Sequence, residues 1–187
     1  MSRHLRYLLA AGALLEVALP ASALQAQQAS KITVSSPAFK NGQPIPPRFT
    51  AYGDGTSIPV SWSAVPASTR SIAIVMDDPD VKQSKPFVHW VIYNIPPQTK
   101  RLEAGLPTEP KLDQPSGALQ GVNSRSSVGY FGPRPPQGDP PHHYHVKVFA
   151  LDQKLELEPG ASEAAVTKAM AGHVLGRGEM VGTVQKP

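Results

Sequence analysis

A β-dominated single domain with one late helix is the fold this chain predicts, on three observations. Its 21 prolines fall between apolar runs rather than inside them, as in proteins built from strands and loops. Short runs rich in β-branched and aromatic residues carry much of the apolar content. Only one stretch has both a helical start and a helical stop. At 187 residues the chain is long enough for one domain with a sizeable core and too short for two ordinary ones.

Residues 1–26 read as a secretory signal. Arg3 and Arg6 make a basic start, residues 7–19 are mostly apolar apart from Glu16, and Ala21-Ser22-Ala23 offers cleavage after Ala23, with Ala26 as the alternative. The apolar run falls short of the ~20 residues that span a bilayer, so an uncleaved anchor is the weaker reading. The folded domain is expected over residues 30–187. Strands are expected at residues 32–34, 60–62, 71–76, 88–95 and 144–151. The helix is expected over 162–171, with Ser162 as N-cap, Glu163 at the positive end of the dipole and Gly172 closing the C-terminus. Residues 96–129 are polar and weakly patterned, a connection whose length points to function or disorder.

Composition excludes several functions. Removal of residues 1–26 takes away Arg3, Arg6 and Glu16, lowering the formal charge from +4 to +3, and no Lys/Arg stripe accompanies it. Nucleic acid is therefore not an expected partner. The absence of cysteine rules out disulfides, a thiol nucleophile and a thiolate metal site, so an exported chain must rely on a packed core. The expected location is periplasmic or secreted.

Chemistry-bearing residues gather at the ends of the strand-like runs. They are Asp78-Pro79-Asp80, His89-Trp90, the loop from Tyr130 through Gly132 and Pro133 to Gly138, and His142-His143-Tyr144. Strand alternation puts His89 with Val91 and Tyr93, and Trp90 with Ile92 on the other face. Tyr144 shares the core face with Val146 and Val148. If the strand extends upstream, His142 joins that face and His143 and His145 point away. Asp78, His89, His142 and Tyr144 are thus the candidates for one small polar cavity. Imidazole N–H groups and the backbone around Gly129, Gly132 and Gly138 supply donors for a phosphate-like anion. Asp78 is expected to accept from an imidazole and fix its tautomer. Pro133, Pro135 and Pro136 hold the shape of the loop. The plain alternatives are a turn at Asp78-Pro79-Asp80 and structurally satisfied histidines.

In this order the residues resemble the signatures of the phosphatidylethanolamine-binding protein family, in particular its bacterial Raf-kinase-inhibitor-like branch. Asp78-Pro79-Asp80 with His89-Trp90 resembles the first signature; Gly132-Pro133-x-Pro135-Pro136-x-Gly138 followed by His142-His143-Tyr144 resembles the second. Weaker matches run through Phe49-Thr50, Trp62, Gly121-x-Asn123 and Gly172-His173-Val174-Leu175, so that the likeness covers residues 30–183. The resemblance implies a β-sandwich of two sheets with a few peripheral helices, including one near the C-terminus. It implies a pocket for phosphate or phosphorylated head groups at positions matching Asp78, His89, His142 and Tyr144, with Pro133 nearby. It also implies a non-catalytic binding protein acting as an inhibitor or regulator of another protein.

Two departures from the family pattern stand out. His143 replaces the usual arginine, so a guanidinium is expected to be missing beside the pocket, and Val184 replaces a usual tyrosine. Registering the second signature on His143 instead of His142 is the alternative alignment. Competing functions are a metal site from Asp78, His142, His143 and His145, and a hydrolase with His89 or His142 as base. Alternation weakens the first, and the lack of a G-x-S-x-G elbow weakens the second. No cofactor is expected. The partner is a small anion, while a protein partner and the oligomeric state, a homodimer included, are left open by the sequence.

Overall fold

The computed structural model describes residues 29–186; the expected signal segment lies outside them. The strands among these residues are β1 (Ser30–Lys31), β2 (Val34–Ser35), β3 (Val60–Trp62), β4 (Ser71–Asp78), β5 (Phe87–Ile95), β6 (Arg101–Leu102), β7 (Leu119–Gln120), β8 (His142–Leu151) and β9 (Val174–Val184). Helix α1 spans Glu163–Met170, and a 3-10 turn covers Pro47–Phe49. Six strands form one sheet in the order β1-β9-β8-β4-β5-β7, antiparallel except for the β1–β9 pair. The other three form a small sheet, β2-β3-β6.

The main core lies between the sheets. Ile72, Ile74, Met76, Trp90, Ile92, Val146 and Val148 meet Val34, Val60, Trp62 and Leu102 of the small sheet. The opposite face of the large sheet is also covered: Ala73, Val91, Tyr93 and Leu151 pack with Leu155, Val166 and Met170 under α1. Burial on both faces explains why β4 and β5 read as nearly continuous apolar runs. The helix has the expected cap, with Ser162 Oγ accepting from Ala165 N at 3.2 Å, an interaction worth about 1 kcal/mol. Gly172 follows it in the left-handed region at φ 83°.

Three features differ from the strand pattern read in the sequence. Residues 32–34 are not one strand, because the chain changes sheets there. Ile32 N donates to Arg177 O at 2.8 Å beside β1, whereas Val34 pairs with Trp62. Second, β9 has no strand-like composition, since it contains Gly176, Gly178 and Gly182. A side chain at Gly178 would overlap the Ile32 carbonyl, and one at Gly182 would lie 2.5 Å from Ile45 Cγ1. The N-terminal segments cross β9 so closely that only glycine fits. Third, residues 96–129 carry β6 and β7 and are tied to the core through Gln120. Its Oε1 accepts from Trp90 Nε1 at 2.8 Å, and its Nε2 donates to Pro107 O and Glu109 O at 2.7 and 2.9 Å.

Candidate functional site

The antiparallel pairing of β4 with β8, which runs to Asp77 opposite His145, leaves Asp78 and His142 near one another at the same end of the sheet. His142 Nδ1 donates to Asp78 Oδ2 at 2.8 Å, and both side chains are buried. Asp78 Oδ1 accepts from Asp80 N at 2.9 Å, closing the turn around Pro79. The turn and the site are therefore one structure, with a separate carboxylate oxygen serving each. On its other side, His142 Nε2 lies 3.5 Å from Asp139 Oδ2, and Asp139 Oδ1 accepts from Lys82 Nζ at 2.7 Å. Asp78, His142, Asp139 and Lys82 thus form a line from interior to surface, and the Lys82 ammonium holds the Asp139 carboxyl below the usual carboxylate range.

His89 reaches the same place by an irregularity. The β4–β5 ladder pairs Met76 with Trp90 but Asp77 with Val88, so His89 is an extra residue in a β-bulge. Simple alternation would put it with Val91 and Tyr93 under α1. The bulge instead turns His89 inward, beside Tyr144, with ring centroids 5.1 Å apart in an edge-on arrangement. Its ring stacks on Phe131 at 5.7 Å and 13°, and its Nδ1 donates to Phe131 O at 2.7 Å. A carbonyl only accepts, so Nδ1 carries the proton in the neutral ring and Nε2 is bare. Burial pushes the His89 pKa below its ordinary value, against the opposing pull of the Phe131 carbonyl and Asp78.

Tyr144 completes the floor. It is fully buried and its hydroxyl has no hydrogen-bond partner among the described residues. Burial, then the nearby Asp78 charge, pushes its pKa up, so the group is a neutral donor. Asp78, His89, His142 and Tyr144 are brought together, lining a cavity of about 140 Å³. Pro133 does not line it; its carbonyl accepts from Ala51 N at 2.9 Å, while Pro135 and Pro136 form the wall. Gly132 permits that approach, because a Cβ there would lie 2.6 Å from Ala51 N.

The expected loss of a guanidinium is also corrected. His143 points away from the cavity and donates from Nδ1 to Asp80 Oδ2 at 2.7 Å. Two guanidiniums, of Arg125 and Arg134, line the cavity from other loops. Val184 pairs with His142 in the sheet and packs in the core. His145 also faces away, 2.6 Å from Glu179. Among the described residues no three His, Asp or Glu side chains converge to hold a metal. Phe87, Phe131, Arg125 and Arg134 were not anticipated as site residues. The one signal for Arg125 was the neighbouring Asn123, whose Oδ1 accepts from Arg125 N at 2.9 Å and shapes the turn.

A larger open depression of about 750 Å³ lies on the outer face of the large sheet, lined by Lys31, Lys147, Arg177 and Glu179 among others. Lys147 is already paired with Asp77 at 2.6 Å and Glu179 with His145, so it lacks the convergent buried donors of the histidine cavity.

With this geometry in place, known proteins offer a comparison. The family model described as phosphatidylethanolamine-binding protein matches residues 35–185. A UPF0098 protein of Methanothermobacter thermautotrophicus is 44% identical over 149 residues, covering 80% of this chain and 95% of that one. LppC of Mycobacterium tuberculosis, named as a candidate lipoprotein, is 35% identical over 160 residues, covering 86% of this chain and 75% of LppC. Among solved structures, the Chlamydia trachomatis PEBP homologue CT736 superposes with a TM-score of 0.75 at 32% identity, covering 85% of this chain and 100% of its own. The E. coli protein YbcL, described as a member of the mammalian PEBP family, gives 0.78 at 29% identity, covering 83% of this chain and 99% of YbcL.

Proposed function

Because this chain belongs to the phosphatidylethanolamine-binding protein family, we propose that it is an exported, non-catalytic binding protein whose buried cavity takes the phosphate of a small phosphorylated ligand. The observation that carries this reading is the convergence of the buried His89, His142 and Tyr144 side chains on one small cavity, with Arg125 and Arg134 among its lining residues. The Asp78 carboxylate does not oppose an anion strongly, since its oxygens are engaged by His142 and the Asp80 amide. His89 Nε2 becomes a donor on taking up a proton, and binding an anion through the protonated ring takes up that proton.

The sign of the pH dependence follows. Burial holds the free His89 ring neutral below its ordinary pKa of about 6.5, whereas a bound anion favours the protonated ring. Affinity for phosphate therefore rises as pH falls through the ordinary imidazole range and below it, and levels off when the free ring is itself protonated. Calorimetric titration of inorganic phosphate and O-phosphorylethanolamine tests this together with three variants. Tyr144→Phe and His142→Ala are each expected to weaken binding about tenfold, and His143→Ala to leave it within about twofold. Equal losses in the two histidine variants, or binding indifferent to pH, would sink the proposed arrangement.

A second reading rests on the Asp78–His142 pair, which resembles a general base with its orienting acid. Among the described residues no Ser or Thr lines the cavity, so water would have to be the nucleophile. Release of inorganic phosphate from O-phosphorylethanolamine would move this reading ahead of the first. Export is supported by the lipoprotein naming of LppC and by the basic and apolar start of this chain. Protein from its native host should have an intact mass short of the full chain by the first 23 or 26 residues, counted to Ala23 or Ala26. Retention of Arg3 and Arg6 in the mature protein would contradict export by this route.

A further inference from the structure

The cavity is divided by charge. Its floor is buried, with Asp78, His89 and His142 at 2–3% exposure and Tyr144 at 0%. The one carboxyl group there, Asp78, is bonded to His142 Nδ1. Arg125 and Arg134 are both exposed and stand at the rim. Neither forms an ion pair with any of the described residues, although nearby Lys82 and His143 both do. A guanidinium stays protonated at any ordinary pH, so the rim carries two uncompensated positive charges over a floor that has none to spare.

Both arginines are held on anchored backbone. The Asn123 side chain fixes the turn that presents Arg125, whose Cζ lies 4.9 Å from the Phe131 ring centroid, and that ring in turn stacks on His89. Arg134 sits between two prolines, of which Pro133 accepts from Ala51 N and Pro135 from the Tyr52 hydroxyl. The Arg125 fork is thereby oriented over Phe131 before any ligand arrives, and Arg134 starts from a fixed point of the loop.

Volume sets what lies between floor and rim. At about 140 Å³ the cavity is small, and the exposed Arg125 and Arg134 are among the residues that line it. A phosphate seated on the buried floor therefore extends the remainder of its ester toward the exposed side, where these two arginines lie. We propose that the ligand is a phosphate ester bearing a second anionic group, and that Arg125 and Arg134 grip this group outside the cavity while the buried floor takes the phosphate. The second anion is a carboxylate or another phosphate, the two groups whose geometry matches a guanidinium fork. The proposal rests on the reading of the cavity as a phosphate site.

O-phospho-L-serine and O-phosphorylethanolamine make the test, because they share phosphate and ammonium and differ by a single carboxylate. Calorimetry on the mature protein should find the serine compound bound about tenfold more tightly. In Arg125→Ala/Arg134→Ala this ratio should fall to within about twofold, while O-phosphorylethanolamine still binds; both positions are exposed, and an unchanged melting temperature verifies the fold. Arg125→Lys keeps the charge but loses the fork, and should give an intermediate ratio. Equal affinities in the wild type, or a ratio that survives in the double variant, would overturn the proposal and leave the phosphate site intact. Failure of both compounds and of inorganic phosphate to bind would remove the phosphate site and this inference together. Vesicles of phosphatidylserine and of phosphatidylethanolamine separate the two sources of the chemistry. Preference for the first, abolished in the double variant, identifies a lipid head group, and preference among the free compounds alone identifies a soluble ligand.

Discussion

Asp78→Ala is expected to lower the unfolding free energy by about 2–4 kcal/mol and to remove phosphate binding, the largest functional loss of any single change in the cavity. The carboxylate accepts from His142 Nδ1 with one oxygen and from Asp80 N with the other, both in a buried setting. Its removal leaves the His142 ring N–H without an acceptor in the interior and opens the turn that ends β4. It also frees His142 to swing toward Asp139, 3.5 Å away on its other side, so the cavity floor is lost along with the bond. Asp78→Asn keeps one acceptor oxygen and should fall between alanine and wild type. Urea denaturation at neutral pH gives the stability, and titration with inorganic phosphate gives the binding. An alanine variant with wild-type stability would show that the buried pair contributes nothing net to the fold.

Gly178→Ala is expected to cost about 3 kcal/mol or more, or to prevent folding, although it adds one methyl group to a strand. The new Cβ would overlap the Ile32 carbonyl, which is backbone and cannot rotate away, and would approach Ile32 Cβ to 3.0 Å. Ile32 N is also bonded to Arg177 O at 2.8 Å, so relieving the overlap pulls apart the crossing of the first strand segments over β9. Gly172→Ala is the control. There φ is 83° and nothing lies within 4 Å, so the cost is conformational alone, about 1 kcal/mol. Thermal unfolding of the two variants separates steric overlap from backbone strain. Similar losses in both would refute the crowding at Gly178.

Part of the site could be read directly from residue order. A strand has a two-residue period, so placing Tyr144 with Val146 and Val148 also placed His142 inward and His143 outward. Asp78 was legible because β4 is a long apolar run that ends in it, and a carboxylate at such a point has few roles besides a turn and an imidazole partner. The helix and its cap were equally local, since Ser162, Glu163 and Gly172 act within one or two turns of themselves.

The facing of His89 was not legible. The bulge that turns it inward exists only in the pairing of β5 with β4, where Met76 meets Trp90 and Asp77 meets Val88, and no single strand records its register with a neighbour. The same holds for β9, whose glycines argue against a strand until Ile32 and Ile45 are seen lying across them. Arg125 and Arg134 come from loops that sequence patterns place only as loops, and their meeting at one rim depends on Asn123, Phe131 and the proline carbonyls. What the order of residues determined by itself was therefore the β-dominated domain with its late helix, the strand ends and the inward set Asp78, His142 and Tyr144, because these follow from periodicity and local bonding. Tertiary structure alone decided the place of His89, the path of β9 and the charged rim, because each depends on contacts between segments tens of residues apart, whose distances no local pattern encodes.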